Sequence, residues 1–307
     1  MERETNVRSQ IRTNIGKRKN HVDKIMPRFF FVMASVSVVT TLGIVLTLVT
    51  DAAKFFSEVS IFEFFGTKLS PLSANPSFGI LPLITGTVLS SLIAMLVAIP
   101  VGLTAAMYMS EFASSRARTV LKPIMEVLAG IPTIVYGFFA YSVVTPLLIN
   151  IIPTLGAKNV LSPGIVMGIM IIPMVASLSE DAMNAVPNAM REGAYGLGST
   201  KLEVTLKVVL PAAISGIMAS FVLAISRAIG ETMIVAIASG SSKNFSLDIT
   251  QSMQTMTGYI VEFTSGDAGS GTTGYYSLYA VGLLLFAFTF VMNILAHQIS
   301  KKFREVY

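Results

Sequence analysis

Long apolar stretches separated by short polar segments run through this chain. A helix needs about 20 apolar residues to cross the roughly 30 Å hydrocarbon core of a bilayer. Stretches of about this length lie at 28–50, 80–108, 124–149, 162–180, 208–238 and 276–298. Continuous apolar runs predict helices, because a transmembrane barrel shows weaker segments that alternate between apolar and polar residues. The pattern therefore predicts an all-α, polytopic membrane protein with six transmembrane helices.

Proline and glycine interrupt several of the predicted spans. The interrupting residues are Pro82, Pro100, Gly130, Pro132, Gly137, Pro146 and Pro173. Such breaks persist in a bilayer only where neighbouring helices or water satisfy the carbonyl groups that they free. We therefore expect several helices to be bent and to line a protein-filled or aqueous interior.

The composition supports a membrane protein and excludes several chemistries. Of the 307 residues, 53% are hydrophobic and 13% are charged, and the mean hydropathy of +0.70 is too high for a soluble domain of this length. The chain has no cysteine, which excludes disulfides, iron–sulfur clusters and a cysteine nucleophile. Its two histidines, His21 and His297, are too few for a zinc site. We expect this chain itself to bind no metal and no cofactor.

Basic residues are distributed unevenly among the segments that join the spans. If residues 1–27 are cytoplasmic, the segments on that side hold 17 of the 22 lysine and arginine residues, with Arg28 counted among them. The opposite side holds only Lys54, Lys68, Lys158 and Lys243. An excess of lysine and arginine marks the cytoplasmic side, so both termini are predicted to be cytoplasmic. The net charge of +5 then reflects topology and contact with anionic lipid rather than nucleic acid.

The same pattern divides the chain into three parts. A basic cytoplasmic tail is predicted at 1–27, a transmembrane domain at 28–300 and a cytoplasmic C-terminal tail at 301–307. The first tail lacks the apolar run and cleavage site of a signal peptide, so the first span is expected to be its own insertion signal. Residues 239–275, predicted on the outer side, are rich in Gly, Ser and Thr and are expected to form a surface connector.

A polar, basic segment from Arg191 to Pro211 separates two of the apolar stretches. It reads REGAYGLGSTKLEVTLKVVLP, and most of it is helix-forming. Gly196 and Gly198 are expected to break it into a short helix, a turn and a second helix. Pro211 falls at the start of the next span, where its missing N–H costs little. A short surface helix joined to a membrane helix fits a groove in a partner; on these residues alone, an ordinary loop is an equally good interpretation.

This segment resembles the EAA loop of ABC-importer permeases, which reads Glu-Ala-Ala, then a glycine, then a hydrophobic-x-Leu-Pro ending. The matching residues are Glu192, Ala194, Gly198, Leu210 and Pro211. Gly193 replaces one alanine of the motif, and a glycine there weakens the helix by about 1 kcal/mol at most. In that family the loop, here 188–211, is the coupling helix that docks onto a separate ATPase subunit.

The resemblance extends over about 230 residues and becomes more specific. Segments at 78–111, 126–141 and 226–240, together with YYSLYAVGLLLFAFTFVMN near the C-terminus, are similar to the membrane subunits of phosphate-specific ABC transporters. Of the two paralogous permeases, the sequence RAIGETM resembles the PstC type. The resemblance implies a type I ABC importer (MetI-like) permease fold and import of inorganic phosphate.

The resemblance also implies an assembly in a bacterial or archaeal plasma membrane. The partners would be a second, PstA-like permease, two PstB-like ATPase subunits, an extracytoplasmic PstS-like phosphate-binding protein and the lipid bilayer. ATP with Mg would bind the ATPase subunits, because this chain has no GxxxxGK[ST] loop. We therefore expect a transport subunit that is not an enzyme and has no catalytic residue.

Arg227 is a charged residue inside a predicted span. Such a charge costs at least about 2.5–3.5 kcal/mol on insertion scales, so it needs a partner or a function. The i, i+4 spacing places Glu231 on the same helical face, which makes a self-contained ion pair one interpretation. The other is that the guanidinium binds a tetrahedral oxyanion, with Glu231 orienting Arg227 or competing for it. Ser226 and Thr232 would add hydroxyl donors, unless they bond to helix carbonyls, which is an equally good alternative.

Three other functions are weighed against phosphate import. A permease for another oxyanion, such as molybdate or sulfate, would share the fold and the coupling loop. An ATP-independent secondary transporter would show inverted repeats with paired broken helices, and we find none in the sequence. A structural or signalling subunit would not need an arginine inside a span.

Overall fold

The computed structural model describes residues 21–267, 269 and 271–302. Of the tail predicted at 1–27, residues 1–20 lie outside the described part of the chain. The same holds for residues 303–307 of the predicted C-terminal tail.

The described part of the chain divides into two units, one that ends at residue 50 and one that begins at residue 51. Helix α1, His21–Glu58, begins in the first unit. Its large apolar side chains there, such as Phe31 and Val39, are exposed. An apolar helix with an exposed surface of this kind requires lipid around it.

The second unit consists of helices and one small hairpin. Strands β1, Leu69–Ser70, and β2, Ser77–Phe78, pair in antiparallel fashion. The helices are α2 (Ile61–Phe64), α3 (Leu81–Met107), α4 (Ser115–Gly130), α5 (Thr133–Phe139), α6 (Thr145–Ile149), α7 (Leu161–Asn184), α8 (Asn188–Gly196), α9 (Lys201–Val204), α10 (Leu210–Ala212), α11 (Ile214–Ile229), α12 (Met233–Ala238), α13 (Met256–Glu262) and α14 (Thr273–Lys302). Short π-helical segments follow α3, α5, α9 and α13, at Tyr108–Phe112, Ala140–Val144, Thr205–Val209 and Phe263–Asp267.

Among the described residues, four helices are long and apolar enough to cross a membrane, and two bent pairs would bring the number of spans to six. The four are Ile25–Glu58, Leu81–Phe112, Leu161–Asn184 and Thr273–Leu295. The first bent pair is Ser115–Gly130 with Thr133–Ile149, at 87°, and the second is Lys201–Ala212 with Ile214–Ile229, at 71°. The all-α, polytopic prediction is confirmed. The predicted spans at 124–149 and 208–238 are not single helices, however.

The break in the first bent pair has a local cause. Ile131 and Pro132 adopt extended backbone between α4 and α5. Pro132 has no N–H to continue the helical ladder, and proline also disfavours helical backbone at the residue before it. The expectation of bent helices is met here, and α4 and α5 become separate elements.

Among the described residues, the second unit has three clusters of buried side chains. The first is an aromatic cluster around Phe55, Phe64 and Phe78. The second joins α3 to α7 through residues such as Ala98 and Ile171. The third, near α8, contains Met183, Val204, Val209 and Ile217. Helix α7 contributes to the second and the third cluster, so it connects them.

Helices α3 and α7 approach closely because small residues line their contact. A Cβ atom on Gly168 would lie 2.7 Å from the Cβ of Val97 and 2.8 Å from the carbonyl oxygen of Ala94. In a bilayer the hydrophobic effect does not drive helices together, so they associate through close van der Waals packing, which small residues allow. The contact fixes α7, from which several polar side chains of the candidate site extend.

The segment predicted as a surface connector, 239–275, is in part buried. Ser239, Met253 and Thr255 are buried, and α13 contains the fully buried Tyr259. Gln254 and Thr257 are buried as well, so polar residues here reach groups inside the bundle. The prediction is wrong for the buried part, because a composition rich in Gly, Ser and Thr does not report the tertiary contacts that bury a loop.

Candidate functional site

The segment that resembles the EAA loop forms a helix, a turn and a second helix, as predicted. Helix α8 has no buried residue and carries Glu192, Gly193 and Ala194. It ends at Leu197, and Gly198 follows with a φ of +85°, which favours glycine because it lacks a Cβ. Gly196, which was also expected to break the helix, is instead its last residue.

The second helix of the segment starts with a capping box. The side chain of Thr200 accepts from the backbone N–H of Glu203, and the Glu203 carboxylate accepts from the N–H of Thr200. This pairing satisfies backbone donors that the first turn leaves open. Leu197, directly before the turn, is 89% exposed.

Arg191 anchors α8 to the rest of the bundle. Its Nη2 lies 2.9 Å from Oε1 of Glu111 and donates to the carbonyl oxygen of Met183 at 2.8 Å. Its Nη1 donates to the carbonyl oxygen of Val186 at 2.6 Å. The side chains of Arg191 and Glu111 are 13% and 6% exposed. One guanidinium thus connects α8 to the end of α7 and to the π-helical turn after α3.

Leu210 and Pro211 do not open the next span directly. They form α10, and the chain bends by 71° at Ala213 before α11 begins at Ile214. Pro211 has no backbone N–H, which weakens the helical ladder next to the bend. Pro211 was predicted to start the next span, but it lies in the short helix α10 that precedes α11.

Helix α11 ends before Glu231, which contradicts the expected i, i+4 pair with Arg227. Gly230 caps the helix, and Glu231 is buried in the break between α11 and α12. Its Oε1 accepts from the backbone N–H groups of Thr232 and Met233, at 3.1 and 3.2 Å. Its carbonyl oxygen accepts from the hydroxyl of Thr257 on α13 at 2.7 Å. The Glu231 carboxylate thus caps α12, and no described carboxylate lies within ion-pair distance of Arg227.

The two predicted hydroxyl donors are engaged elsewhere. Ser226 donates to Oδ1 of Asn293 on α14 at 3.1 Å, which joins α11 to α14. The Thr232 hydroxyl lies 3.2 Å from the carbonyl oxygen of Gly230. For Thr232 the structure therefore agrees with the alternative in which the hydroxyl bonds to a backbone carbonyl.

Arg227 lines a cavity of about 600 Å³ between α4, α7 and α11, which we call the Arg227 cavity. Its wall consists of Met109, Lys122, Met125, Glu126, Ala129, Met170, Pro173, Met174, Ser177, Leu178, Glu180 and Arg227. Among the four residues predicted for the anion path, Arg227 alone belongs to this wall. Two cations and two carboxylates among mostly apolar side chains make the wall suited to a small charged solute.

Lys122 and Glu180 are charged residues of the cavity that the sequence interpretation missed. Lys122 Nζ lies 3.1 Å from Oε1 of Glu180, whose side chain is 2% exposed. They are 58 positions apart and belong to α4 and α7, so no local pattern joins them. The available signal was the position of Glu180 at the end of an apolar stretch, where a buried acid needs a cation.

A bundle of bent apolar helices, an anchored exposed helix and a cavity that holds four charged side chains are typical of an integral-membrane transport subunit. The chain belongs to the family of binding-protein-dependent transport system inner membrane components, whose model matches residues 98–305. It is therefore a multi-pass membrane protein of a binding-protein-dependent transport system.

Within this family the chain is similar to phosphate transport system permease proteins named PstC. It is 34% identical to the protein of Xylella fastidiosa over 253 residues, which cover 76% of each chain. It is 30% identical to the probable PstC of Methanocaldococcus jannaschii, over 82% of this chain and 87% of that protein. The probable ABC transporter permease YqgH of Bacillus subtilis is 32% identical over 76% of this chain and 75% of its own length.

Solved structures of ABC transporters share the fold. A chain of a bacterial alginate ABC transporter in complex with its periplasmic protein superposes with a TM-score of 0.62 at 16% identity, covering 94% of this chain and 99% of that one. A chain of the methionine transporter MetNI superposes with a TM-score of 0.54 at 16% identity, covering 74% and 94%. The predicted type I importer (MetI-like) permease fold is confirmed.

Proposed function

We propose that this chain is the membrane permease subunit of an ATP-driven importer of inorganic phosphate and forms half of the translocation pathway. Relatives named as PstC phosphate permeases match about three quarters of the chain or more at 30–35% identity.

The observation that carries the proposal is the position of Arg227 on the wall of the Arg227 cavity. A guanidinium offers a planar fork of donors that matches two oxygens of a tetrahedral oxyanion. Because no described carboxylate neutralises Arg227, its charge is available to an anion that enters the cavity. Glu231, Ser226 and Thr232 would then act indirectly, by holding the end of α11 that carries Arg227.

The coupling role belongs to α8 and the turn that follows it. Tyr195 and Leu197 are exposed apolar residues next to Glu192 and Gly193, and they would enter a groove of the ATPase subunit. Since Arg191 joins α8 to α3 and α7, movement of the docked ATPase would reach helices that line the cavity. Leu210 and Pro211 would carry the same movement to α11.

The proposal includes an orientation and a set of partners. Helix α8 and both chain termini would lie on the cytoplasmic side, in agreement with the excess of basic residues there. A PstA-like second permease would complete the pathway. Two PstB-like ATPase subunits would bind ATP and Mg, and an extracytoplasmic PstS-like protein would deliver phosphate.

Uptake by the reconstituted complex tests the function. Proteoliposomes that contain this chain, the second permease and the ATPase subunits, with binding protein outside and ATP inside, should accumulate radiolabelled phosphate. A non-hydrolysable ATP analogue should stop accumulation, and excess molybdate or sulfate should leave it unchanged. Accumulation without ATP hydrolysis would establish a secondary transporter, and competition by molybdate or sulfate would reassign the substrate.

A further inference from the structure

A series of polar contacts connects α8 to the Arg227 cavity. It starts at Arg191, whose guanidinium lies 2.9 Å from Glu111 Oε1. The hydroxyl of Ser110 lies 3.2 Å from the same oxygen and 3.0 Å from Asn184 Oδ1. The Asn184 amide nitrogen lies 3.5 Å from Glu180 Oε1, which pairs with Lys122 at 3.1 Å. The series therefore ends at a cation on the cavity wall.

The two ends of the Lys122–Glu180 pair differ in their surroundings. The Glu180 side chain is 2% exposed, whereas that of Lys122 is 49% exposed. A buried carboxylate is stable as an ion only with a partner, and Lys122 is the cation within ion-pair distance among the described residues. Lys122 has a compact, flexible ammonium that can leave one acceptor for another. An anion in the cavity would therefore compete with Glu180 for Lys122.

Ser110 gives the series two arrangements. A serine hydroxyl has one proton, and here two acceptors, Glu111 Oε1 and Asn184 Oδ1, lie within reach of it. Ser110 and Glu111 also lie in the π-helical turn Tyr108–Phe112, and such turns occur frequently at functional sites. If the hydroxyl bonds to Glu111 instead of Asn184, the Asn184 carbonyl oxygen would lose this donor, and the Asn184 side chain that contacts Glu180 would be less firmly held.

We propose that Lys122 is a second anion contact in the Arg227 cavity, and that Glu180 is the positioning residue that holds or releases Lys122. Whether Glu180 holds Lys122 would depend on the polar contacts that connect Glu180 to α8, through Asn184, Ser110, Glu111 and Arg191. This inference rests on the proposed function. Together, Lys122 and Arg227 place one cation from α4 and one from α11 on the same cavity wall. A tetrahedral oxyanion such as phosphate presents enough oxygens for both.

The pair variant Lys122→Gln/Glu180→Gln tests the anion contact in the proteoliposomes described above. It removes both charges, so no buried carboxylate is left without a partner. We expect normal assembly and ATP hydrolysis that the binding protein still stimulates, with phosphate uptake lower by about tenfold or more, the loss of one charge-assisted contact. The conservative variant Lys122→Arg, with Glu180 unchanged, should retain more uptake than the pair variant. The matched control Asp51→Asn/Lys54→Gln removes an ion pair outside the cavity and should leave uptake unchanged.

Glu180→Gln alone separates a positioning role from a structural one. It frees Lys122 for the anion, so both the KM for phosphate and the maximal rate should fall. A purely structural role would instead reduce the yield of complex and leave KM unchanged.

Ser110→Ala tests the connection to α8. It should leave the KM for phosphate unchanged and lower the phosphate imported per ATP hydrolysed. A wild-type ratio in this variant would overturn the connection, and wild-type uptake by the pair variant would overturn the anion contact. Absence of ATP-dependent uptake in the wild-type complex would instead refute the proposed function itself.

Discussion

Arg191 and Glu111 lie 80 positions apart and form a largely buried ion pair that fixes α8 to the π-helical turn after α3. Replacing Arg191 by methionine would leave the Glu111 carboxylate largely buried without its cation. Breaking a fully buried pair in this way costs about 3–5 kcal/mol, which is the upper limit here. We expect a marked loss of thermal stability of the detergent-solubilised complex, and weaker retention of the ATPase subunit during purification.

The control for this substitution is an exposed pair in the same segment. Lys207 lies 3.2 Å from Glu203, and the side chains are 74% and 45% exposed. Lys207→Met should change stability by less than about 1 kcal/mol, because exposed pairs contribute little. Equal losses in the two variants would show that the burial of Arg191 has no energetic consequence.

Gly198 is predicted to be sensitive to a single methyl group. At a φ of +85°, Gly198→Ala places a side chain in the left-handed region, at a cost of about 1–2 kcal/mol. Gly196→Ala changes the last residue of α8, has nothing within 4 Å of the added Cβ, and should stabilise the helix by less than about 1 kcal/mol. Titration of the purified ATPase subunit onto reconstituted permease should show weaker binding for the first variant and unchanged or tighter binding for the second. The reverse order would exclude the turn as a determinant of docking.

Leu197 tests the docking surface directly. It is 89% exposed, so Leu197→Asp disturbs no contact within the described chain. If the side chain enters a groove of the ATPase, a buried unpaired carboxylate there should weaken binding by about tenfold or more. Leu247, 71% exposed in the segment after α12, supplies the control, since Leu247→Asp should leave ATPase binding unchanged. The proposed orientation would be wrong if only the Leu247 variant lost the ATPase.

Arg227→Gln should severely lower phosphate uptake while the complex still assembles. The guanidinium is exposed to the cavity and has no described carboxylate partner, so its removal leaves no buried charge behind. Two charge-assisted hydrogen bonds would be lost, and uptake should fall by about 100-fold. Assembly is checked by copurification of the second permease and the ATPase. Normal uptake would assign Arg227 a structural role, in contact with lipid or a neighbouring subunit.

Much of the fold follows from sequence because span formation is governed by local hydrophobicity. The break after Gly230 does not, because residues 208–238 read as one apolar stretch. That break persists since the Glu231 carboxylate satisfies two backbone N–H groups and Thr257, 26 positions away, donates to the Glu231 carbonyl. The sequence around position 230 cannot predict the contact with Thr257, because that contact forms only in the folded chain.

The site was predicted in part for the same physical reason. A charge inside an apolar stretch identifies Arg227 without any tertiary information. Lys122 and Glu180 each look like ordinary charged residues at the edge of a span, and only the packing of α4 against α7 makes them a pair. The EAA-like residues were recognisable because they form a short local shape, namely a helix, a left-handed glycine and a capped second helix.

The 71° bend at Ala213 and the break at Gly230 separate α11 from the helices on either side of it. Helix α11 can therefore tilt as one rigid unit. With a rise of 1.5 Å per residue, Arg227 lies about 20 Å from the end at Ile214. A tilt of about 10° around that end would carry Arg227 sideways by about 3 Å, comparable to the length of a hydrogen bond. If Arg227 binds an anion as proposed, a rotation of this size that starts next to the proposed coupling segment would be sufficient to make or break the contact, and no helix would have to bend.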